Sequence, residues 1–330
     1  MELLQYPFFL MEQEICNIIE AIVTKKGRKQ TIQKRERARG MRMKYRDRLG
    51  NTIEGTTNQD KLLDKLYSNY VGRLGLKILS APVVSNLGGA FLDTWMSTFL
   101  IGPFIKKNNI RMSDYEKRRY RSYNDFFTRK IKAGKRVIDK NPAHLIAPSD
   151  GKVTAYPITL DSKFKIKNSY YSVASMLRNK KLAKDFVGGY AVIIRLSVDN
   201  YHRYCYVDDA VKGRNYNIPG KLYTVNPVIL DHVNIYKENS RSYCVLDTKN
   251  FGKVVQMEVG ALMVGKITNY HHVAMVKRGE EKGKFEFGGS TVVLLLQRDQ
   301  AVIAEDILRN TNEGYETLVK MGECIGEALY

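Results

Sequence analysis

Residues 283–296 read GKFEFGGSTVVLLL, a charged stretch that turns wholly apolar after two glycines and a serine. The run 291–296 is short, unbroken and rich in β-branched residues and leucine, which predicts a strand buried on both faces. Gly288 and Gly289, at its entrance, permit backbone angles that other residues resist and leave a peptide carbonyl uncovered. The strand should sit at the centre of the fold, with Ser290 at its mouth.

Further strand-like segments follow residue 135, separated at short intervals by Gly, Asn and Asp: HLIAP, GKVTAYPI, YAVIIRLSV, GKVVQMEVGALMVGKI and AVIAE. Few helical patterns lie between them, so a doubly wound parallel sheet is not expected. The sequence predicts an α+β protein with a helical N-terminal region and a β-rich, largely antiparallel, barrel- or sandwich-like catalytic domain. The predicted divisions are a basic N-terminal extension over 1–60, a helical membrane-associating region over 61–134, and the catalytic domain over 135–330.

Within the helical region, Leu87, Phe91, Trp95 and Phe99 recur every four residues. This spacing gives a broad apolar face, which is typical of a helix packed on the core. The alternative is an interfacial helix with Trp95 at the level of the lipid headgroups. Further along, the run that begins at Ser113 has the pattern of a capping box and predicts a helix over 113–131.

The formal net charge is +20, and half of it falls in residues 25–48, where twelve basic residues meet two acidic ones. Such a balance indicates polyanionic surroundings. The rest of the chain is only mildly basic and lacks a basic aromatic motif, so nucleic acid is not the expected partner. Residues 25–60 have the composition of a disordered segment. Because Met43 opens a plausible start, we treat 1–42 as a dispensable extension.

The chain has four cysteines that are far apart and form no C-x-x-C pair: Cys16, Cys205, Cys244 and Cys324. The five histidines show no H-E-x-x-H spacing, so neither a disulfide framework nor a metal site is expected, and reduced thiols fit a cytosolic compartment. The start carries several glutamates and no basic n-region, which does not predict a secretory signal. The stretch 78–105 is the one transmembrane candidate, but Asp93 and two prolines interrupt it.

Two interpretations apply to Gly289-Ser290. In the simpler one, the glycine forms a bulge where the chain enters a strand. In the other, the Ser290 hydroxyl attacks the carbonyl before it, and the resulting ester eliminates. The chain is then cut after Gly289, and residue 290 becomes a pyruvoyl group.

Several ordered segments favour the second interpretation. They are SYNDFFTRKIKAGKRVID at 122–139, APSDGKV at 147–153, DNYHRYCYVDD at 199–209, VNPVIL at 225–230, NFGKVVQMEVGALMVGKI at 250–267 and KRGEEKGKFEFGGST at 277–291. Together they resemble the phosphatidylserine decarboxylases, which are pyruvoyl-dependent lipid enzymes. The likeness runs from about Arg111 to the C-terminus and is loose over 61–110.

The resemblance implies that Ser290, in G-G-S-T where much of the family has L-G-S-T, is both the self-cleavage nucleophile and the pyruvoyl precursor. Asp150 occupies the position of the acid in an Asp-His-Ser relay. Where many relatives read Y-H-R-x-H, this chain has Y-H-R-Y-C, so His202 matches the first histidine and Cys205 replaces the second. We favour His202 as the base, because its unperturbed pKa suits proton transfer near neutrality. Cys205 acting as a thiolate stays open.

The implied reaction converts phosphatidylserine to phosphatidylethanolamine and CO2 through a Schiff base to the pyruvoyl group, without a metal. The implied partners are an anionic phospholipid membrane and the enzyme's own large and small chains, with a homodimer left open. The implied location is peripheral, on the cytoplasmic face of a bacterial-type cell membrane. Three alternatives remain: a pyruvoyl decarboxylase of another amine, a non-cleaving phospholipid-binding homologue, and a nucleic-acid-binding protein with a basic arm.

Overall fold

The computed structural model describes residues 44–53, 88–166, 169–220, 239–260, 267–286 and 290–329. Nineteen strands lie in these ranges: β1 Lys44–Arg46, β2 Thr52–Ile53, β3 His144–Ile146, β4 Gly151–Pro157, β5 Phe164–Ile166, β6 Ser169–Tyr171, β7 Tyr190–Leu196, β8 Arg203–Cys205, β9 Ala210–Lys212, β10 Tyr216–Ile218, β11 Arg241–Thr248, β12 Lys253–Val259, β13 Ile267–Asn269, β14 Ala274–Val276, β15 Glu281–Phe285, β16 Ser290–Leu296, β17 Ala301–Ile303, β18 Tyr315–Val319 and β19 Cys324–Ala328.

Five α-helices lie in the same ranges: α1 Ile101–Lys107, α2 Tyr123–Phe127, α3 Val173–Leu177, α4 Lys180–Lys184 and α5 Glu305–Asn312. Residues 88–92 are also helical, and two 3-10 helices cover Trp95–Leu100 and Met112–Asp114. Most of the predicted N-terminal extension and its basic window, the first part of the predicted helical region, the segment 225–230 and Gly289 lie outside the described residues.

The strand β16 lies inside an eleven-stranded sheet formed by the described strands, in the order β14-β9-β11-β12-β16-β7-β4-β18-β1-β2, with β10 paired to β11. Both neighbours of β16 are antiparallel to it. In this sheet only the β1–β18 pair is parallel among the described strands. The sheet stays open between β14 and β2, so the predicted α+β class and largely antiparallel topology are confirmed in the sandwich-like form.

The apolar run of β16 is buried because both faces of the sheet are covered. Val292 and Leu294 contribute to one core, which includes residues of the small sheets β13-β15-β8 and β17-β19-β3. Val293 and Leu295 point to the other face, where the β5–β6 hairpin and helices α3 and α4 contribute to a second core. Each such side chain stabilises the fold by about 1.5–3 kcal/mol relative to exposure. The strand is therefore an internal support that holds its first residue, Ser290, in a fixed position.

The helical region differs from the sequence prediction in two places. No long helix follows Ser113: Lys132 N donates to the Asp114 carbonyl at 2.9 Å and Glu116 N donates to the Lys130 carbonyl at 3.0 Å. This extended pairing replaces the predicted helix over 113–131, and the short helix α2 begins instead after Ser122, whose hydroxyl caps it.

The apolar face around Trp95 is also not a core face. Trp95, Met96 and Phe99 are 78%, 55% and 50% exposed, while Phe104 and Ile105 pack on the third core cluster. A turn at residues 93–94 separates residues 88–92 from the following 3-10 helix, which breaks the four-residue periodicity. Within the part of the chain that the structure describes, no helix is both long and apolar enough to cross a bilayer.

Part of the basic window belongs to the fold. β1 extends the main sheet beside β18, Arg46 pairs with Glu313 at 2.5 Å, and Arg48 pairs with Asp306 at 2.6 Å. The prediction of disorder over 25–60 is therefore wrong for residues 44–53, since the two strands bring these cations to carboxylates of the C-terminal segment.

Candidate active site

Three neighbouring strands of the main sheet bring the predicted acid and nucleophile to the same sheet end. β4 begins directly after Asp150, and its Lys152 is paired with Arg195 of β7. Leu196, the next residue of β7, is paired with Ser290. Adjacent strands lie about 4.8 Å apart, so the backbones of Asp150 and Ser290 are separated by about 10 Å across β7.

Asp150 needs a glycine after it because the strands approach closely there. A Cβ at position 151 would lie 2.8 Å from the Arg195 carbonyl oxygen and 2.8 Å from a methyl of Ile194. The Ser-Asp-Gly sequence is thus both the turn into β4 and the device that places the carboxylate against β7.

Ser290 is 1% exposed, and its hydroxyl has no hydrogen-bond partner among the described residues. The same holds for three more buried hydroxyls at this end of the three strands: Ser149, Ser197 and Thr291. An unsatisfied buried polar group costs about 1–3 kcal/mol, and such groups are uncommon except where a site requires them. Four such hydroxyls at one sheet end are more than a purely structural region usually has, which marks this end of the sheet as a candidate site. Ser149 and Ser197 were not predicted as site residues.

Asp150 is held by contacts that the sequence did not predict. Arg136 Nε donates to its carboxylate at 2.7 Å and a second guanidinium nitrogen donates to the other oxygen, while Met321 N donates to Oδ1 at 2.9 Å. The side chains of Arg136 and Asp150 are 16% and 7% exposed. The acid is therefore an oriented, paired carboxylate. In the sequence, Arg136 is one of several basic residues in the segment 122–139, and nothing there distinguishes it as the partner of Asp150.

His202 is buried just before β8. Its Nδ1 lies 2.9 Å from the Asn200 carbonyl oxygen, which can only accept, so Nδ1 carries the proton and Nε2 bears the lone pair of the neutral ring. Phe285 N donates to the His202 carbonyl at 2.9 Å, which ties this residue to the strand that ends five residues before Ser290. The ring is therefore held in one tautomer and tied to the end of β15.

The segment S-Y-N-D-F-F-T-R supports the histidine from the other side. The ring of Phe127, the last residue of α2, lies 4.1 Å from the His202 ring between centroids. The Thr128 carbonyl accepts from Arg203 Nε at 2.9 Å. Helix α2 thus fixes two consecutive residues of the Y-H-R motif, which explains why the two segments occur together.

Cys205 is buried at the end of β8 and is held through its backbone. Its backbone N donates to the Pro148 carbonyl at 2.8 Å, and its carbonyl accepts from Gln256 Nε2 at 2.9 Å. Burial raises the pKa of the Cys205 thiol to about 12. The thiol is therefore protonated near neutrality, which disfavours a thiolate base.

A fully buried ion pair lies on the same sheet face as Ser290. Glu258 of β12 is paired across the sheet with Val292, and its carboxylate lies 2.7 Å from Lys282 Nζ on β15. Asn269 Oδ1 accepts from the same ammonium at 2.9 Å. Burial raises the pKa of Glu258, and the Lys282 ammonium opposes this shift. Sequence reasoning missed this pair, whose one signal was a glutamate in the otherwise mostly apolar strand VVQMEV.

Comparison with known proteins gives a consistent result. The family model for phosphatidylserine decarboxylase matches residues 123–327. Phosphatidylserine decarboxylase proenzyme 2 of Clostridium acetobutylicum is 47% identical over 263 residues, which is 79% of this chain and 90% of the relative. The phosphatidylserine decarboxylase proenzyme of Ruminiclostridium cellulolyticum is 38% identical over 275 residues, covering 82% of this chain and 92% of the relative. That of Clostridium kluyveri is 38% identical over 266 residues.

Proposed function

The chain belongs to the phosphatidylserine decarboxylase family, and on that premise we propose that it cleaves itself before Ser290 and decarboxylates phosphatidylserine with the pyruvoyl group so formed. Family membership makes it a carboxy-lyase. The relatives are named as proenzymes, which supports a maturation step in this chain too.

The observation that carries the proposal is the Ser290 hydroxyl: buried, without a partner among the described residues, and fixed at the first position of an internal strand. A structural serine in such a place would normally bond a neighbouring carbonyl. A pyruvoyl group at position 290 fits this setting, because elimination removes the unpartnered hydroxyl and leaves a methyl group there, while the keto oxygen takes the place of the α-amino nitrogen.

For self-cleavage, the Ser290 hydroxyl gives its proton to a base while its oxygen attacks the carbonyl carbon of residue 289. Collapse of the tetrahedral oxyanion breaks the peptide bond and leaves an ester. Elimination then releases residue 289 as a free carboxylate, and hydrolysis of the dehydroalanine yields ammonia and the keto group. The products are a large chain and a small chain of 41 residues, 290–330.

We assign the base to His202. The Asn200 carbonyl holds the Nδ1 proton, so Nε2 is the nitrogen able to accept one. Cys205 is disfavoured because its thiol is protonated near neutral pH. Asp150, fixed by Arg136, contributes negative charge at the same sheet end, which stabilises an imidazolium as it forms. When present, the pyruvoyl group supplies an electrophilic carbonyl and an electron sink for loss of CO2. His202 is also the proposed proton donor after CO2 leaves.

The exposed apolar patch of Trp95, Met96 and Phe99, defined here as the docking patch, is the proposed membrane contact. Lys106 and Lys107 are exposed at the end of α1, and each cation near an acidic leaflet adds about 1 kcal/mol of attraction. Insertion of an aromatic and apolar cluster beside cations is the pattern of an interfacial anchor. This supports a peripheral position on the cytoplasmic face of the membrane.

A polar cavity supports a path from the docking patch to the site. It measures about 190 Å³, and its lining includes Asp93, Asn124, Lys284 and Glu286. Asp93 lies two residues before Trp95 and Glu286 lies four residues before Ser290. The lining carries three carboxylates, Asp93, Asp125 and Glu286, which suit the ammonium of the headgroup, and one cation, Lys284, which suits its carboxylate. Homodimer formation stays a prediction.

A lipid assay tests the proposal. Vesicles containing phosphatidylserine should release CO2 and accumulate phosphatidylethanolamine with the wild-type protein and not with Ser290→Ala. A panel of free amino acids should give no CO2. Turnover of a free amino acid in place of the lipid would establish the alternative substrate class. An intact chain that binds vesicles but releases no CO2 would establish the non-cleaving homologue.

A further inference from the structure

Beside the strand pair β3–β19, a histidine, an aspartate and a cysteine converge. The potential ligand atoms of Asp139, His144 and Cys324 all lie within 4.8 Å of one another. Asp139 Oδ2 is 2.7 Å from His144 Nδ1. These three residues have no part in the chemistry proposed for Ser290.

The cluster is built by a bulge in a strand pair. β19 runs antiparallel to β3 with Glu327 opposite His144 and Gly326 opposite Leu145, and then the register shifts so that Cys324 lies opposite Ile146. In a regular strand, residues 324 and 327 would point to opposite faces. The extra residue at the bulge brings Cys324 onto the face that carries His144 and Glu327. The buried Ile325 takes the inward direction.

Backbone contacts hold the three ligand residues together. Asp139 N donates to the Gly322 carbonyl at 3.0 Å, and Arg278 donates to the His144 carbonyl at 2.7 Å. Arg48 donates to the Cys324 carbonyl at 2.6 Å. Asp139 Oδ1 accepts from Asn141 N at 2.8 Å, which leaves Oδ2 directed at the histidine. The backbone framework is therefore set before any ligand arrives.

From this geometry we propose that Asp139, His144 and Cys324 bind a divalent transition-metal ion, with zinc as the best match to the donor set. Thiolate, imidazole and carboxylate are all zinc ligands, at about 2.0–2.3 Å. Ligand atoms around a tetrahedral zinc ion lie about 3.5 Å apart. The three ligand atoms therefore need to shift by about 1 Å, which side-chain rotations allow. The ion takes the place of the proton between Asp139 and His144, and the thiol proton passes to solvent.

With Nδ1 on the metal, His144 Nε2–H needs an acceptor. Asn141 Nδ2 lies 3.0 Å from Nε2 and Glu327 Oε1 lies 3.9 Å away, so the exposed Glu327 side chain would move closer to become the carboxylate partner that is usual for a metal-bound histidine. A water molecule completes the four ligands. The proposal differs from the expectation from sequence that the chain has no metal site. The three ligands are separated by up to 185 residues, so no short metal-binding motif contains them.

One consequence rests on the proposed function. Asp139 and His144 precede residue 290 and Cys324 follows it, so after cleavage the ion would join the large chain to the small one. A metal linked to both chains stabilises their association by the free energy of binding.

Cobalt provides the direct test, since thiolate ligation gives a near-ultraviolet charge-transfer absorption. Titration of the full chain with Co²⁺ should show one site with that absorption. Zn²⁺ added in competition should remove the absorption. Cys324→Ser should lose the absorption, and His144→Ala and Asp139→Asn should weaken binding by at least roughly 100-fold, since loss of an outer partner alone costs roughly 10–100-fold. His272→Ala, a change at an exposed histidine outside the cluster, should bind as the wild type does.

The metal-site proposal and the self-cleavage proposal can be tested independently. Ser290→Ala should bind Co²⁺ with the same stoichiometry whether or not the wild-type chain cleaves itself. A thiolate absorption that persists in Cys324→Ser, or no binding by the wild type, would overturn the metal site. To separate misfolding from ligand loss, thermal unfolding is measured without metal for each variant, and zinc should raise Tm of the wild type and of His272→Ala but not of His144→Ala.

Discussion

The ion pair between Arg136 and Asp150 offers a quantitative test of the proposed site. Arg136→Ala removes two charge-assisted hydrogen bonds from a carboxylate that is 7% exposed. Each such bond is worth about 1.5–3 kcal/mol, and breaking a buried pair by removing one partner costs about 3–5 kcal/mol. Because Arg136 retains some solvent access and Met321 N still bonds Asp150, we expect the lower end, about 3 kcal/mol.

The measurement is denaturant unfolding in a Ser290→Ala background, where every molecule should remain one chain. Arg136→Lys keeps the positive charge but cannot make two parallel hydrogen bonds to the carboxylate, so we expect it to lower the free energy of unfolding by about half as much as Arg136→Ala. The matched control is Lys135→Ala, because its ion pair with Asp114 is largely exposed and is worth less than about 1 kcal/mol.

The same change should slow self-cleavage in the chain that retains Ser290. A carboxylate that loses its clamp no longer supports the imidazolium in a fixed position, and we expect at least a tenfold slower appearance of the small chain, about 1.4 kcal/mol in the barrier. The time course is followed on denaturing gels after translation in vitro. If Arg136→Ala lowers the free energy of unfolding by less than about 1 kcal/mol and cleaves at the wild-type rate, the proposed role of Asp150 in supporting the imidazolium is refuted.

Three further predictions follow from the same structure. His202→Ala should abolish cleavage on a denaturing gel while Cys205→Ser cleaves within a few-fold of wild type; the reverse order would make the thiol the base. The pKa of the Cys205 thiol is raised from 9.0 to about 12 in the folded state, so the protonated thiol stabilises the fold below pH 9 and this stability is lost as the pH rises toward 12. Between these two pH values the unfolding free energy of Cys205→Ala should therefore fall less steeply than that of the wild type, by about 1.4 kcal/mol per pH unit. An unchanged slope would contradict the buried thiol. Replacing Trp95, Met96 and Phe99 together by serine should reduce sedimentation with anionic vesicles at high salt at least tenfold, without changing Tm, and undiminished binding would place the membrane contact elsewhere.

The strand of the nucleophile was predictable because its signal is local: an apolar run bounded by glycines has few other solutions. The antiparallel topology followed from the short spacing between strands. The helix predicted over 113–131 is wrong, and Ser113 does not cap a helix: it lies within the 3-10 helix Met112–Asp114. Tertiary pairing of 114–116 with 130–132 outweighed the local capping pattern, as nonlocal contacts commonly do.

The named motifs supplied the proposed site residues but not the residues that contact them. Ser290 and Asp150 were proposed by resemblance, whereas Arg136 and Lys282 contact partners distant in sequence. A bulge such as the one beside Cys324 depends on strand register, which no local pattern in this chain specified. Exposure of Trp95 depended on a break in the helix at residues 93–94 that periodicity alone did not reveal.

The central claim is tested most directly by the intact mass of the purified protein. Self-cleavage predicts two species, a large chain that ends at Gly289 and a 41-residue chain that begins at residue 290 with a keto group in place of its amine and a methyl group in place of its hydroxymethyl side chain. Reduction with borohydride should then add two hydrogens to the small chain. A single full-length mass with an unmodified serine at position 290 would contradict the account.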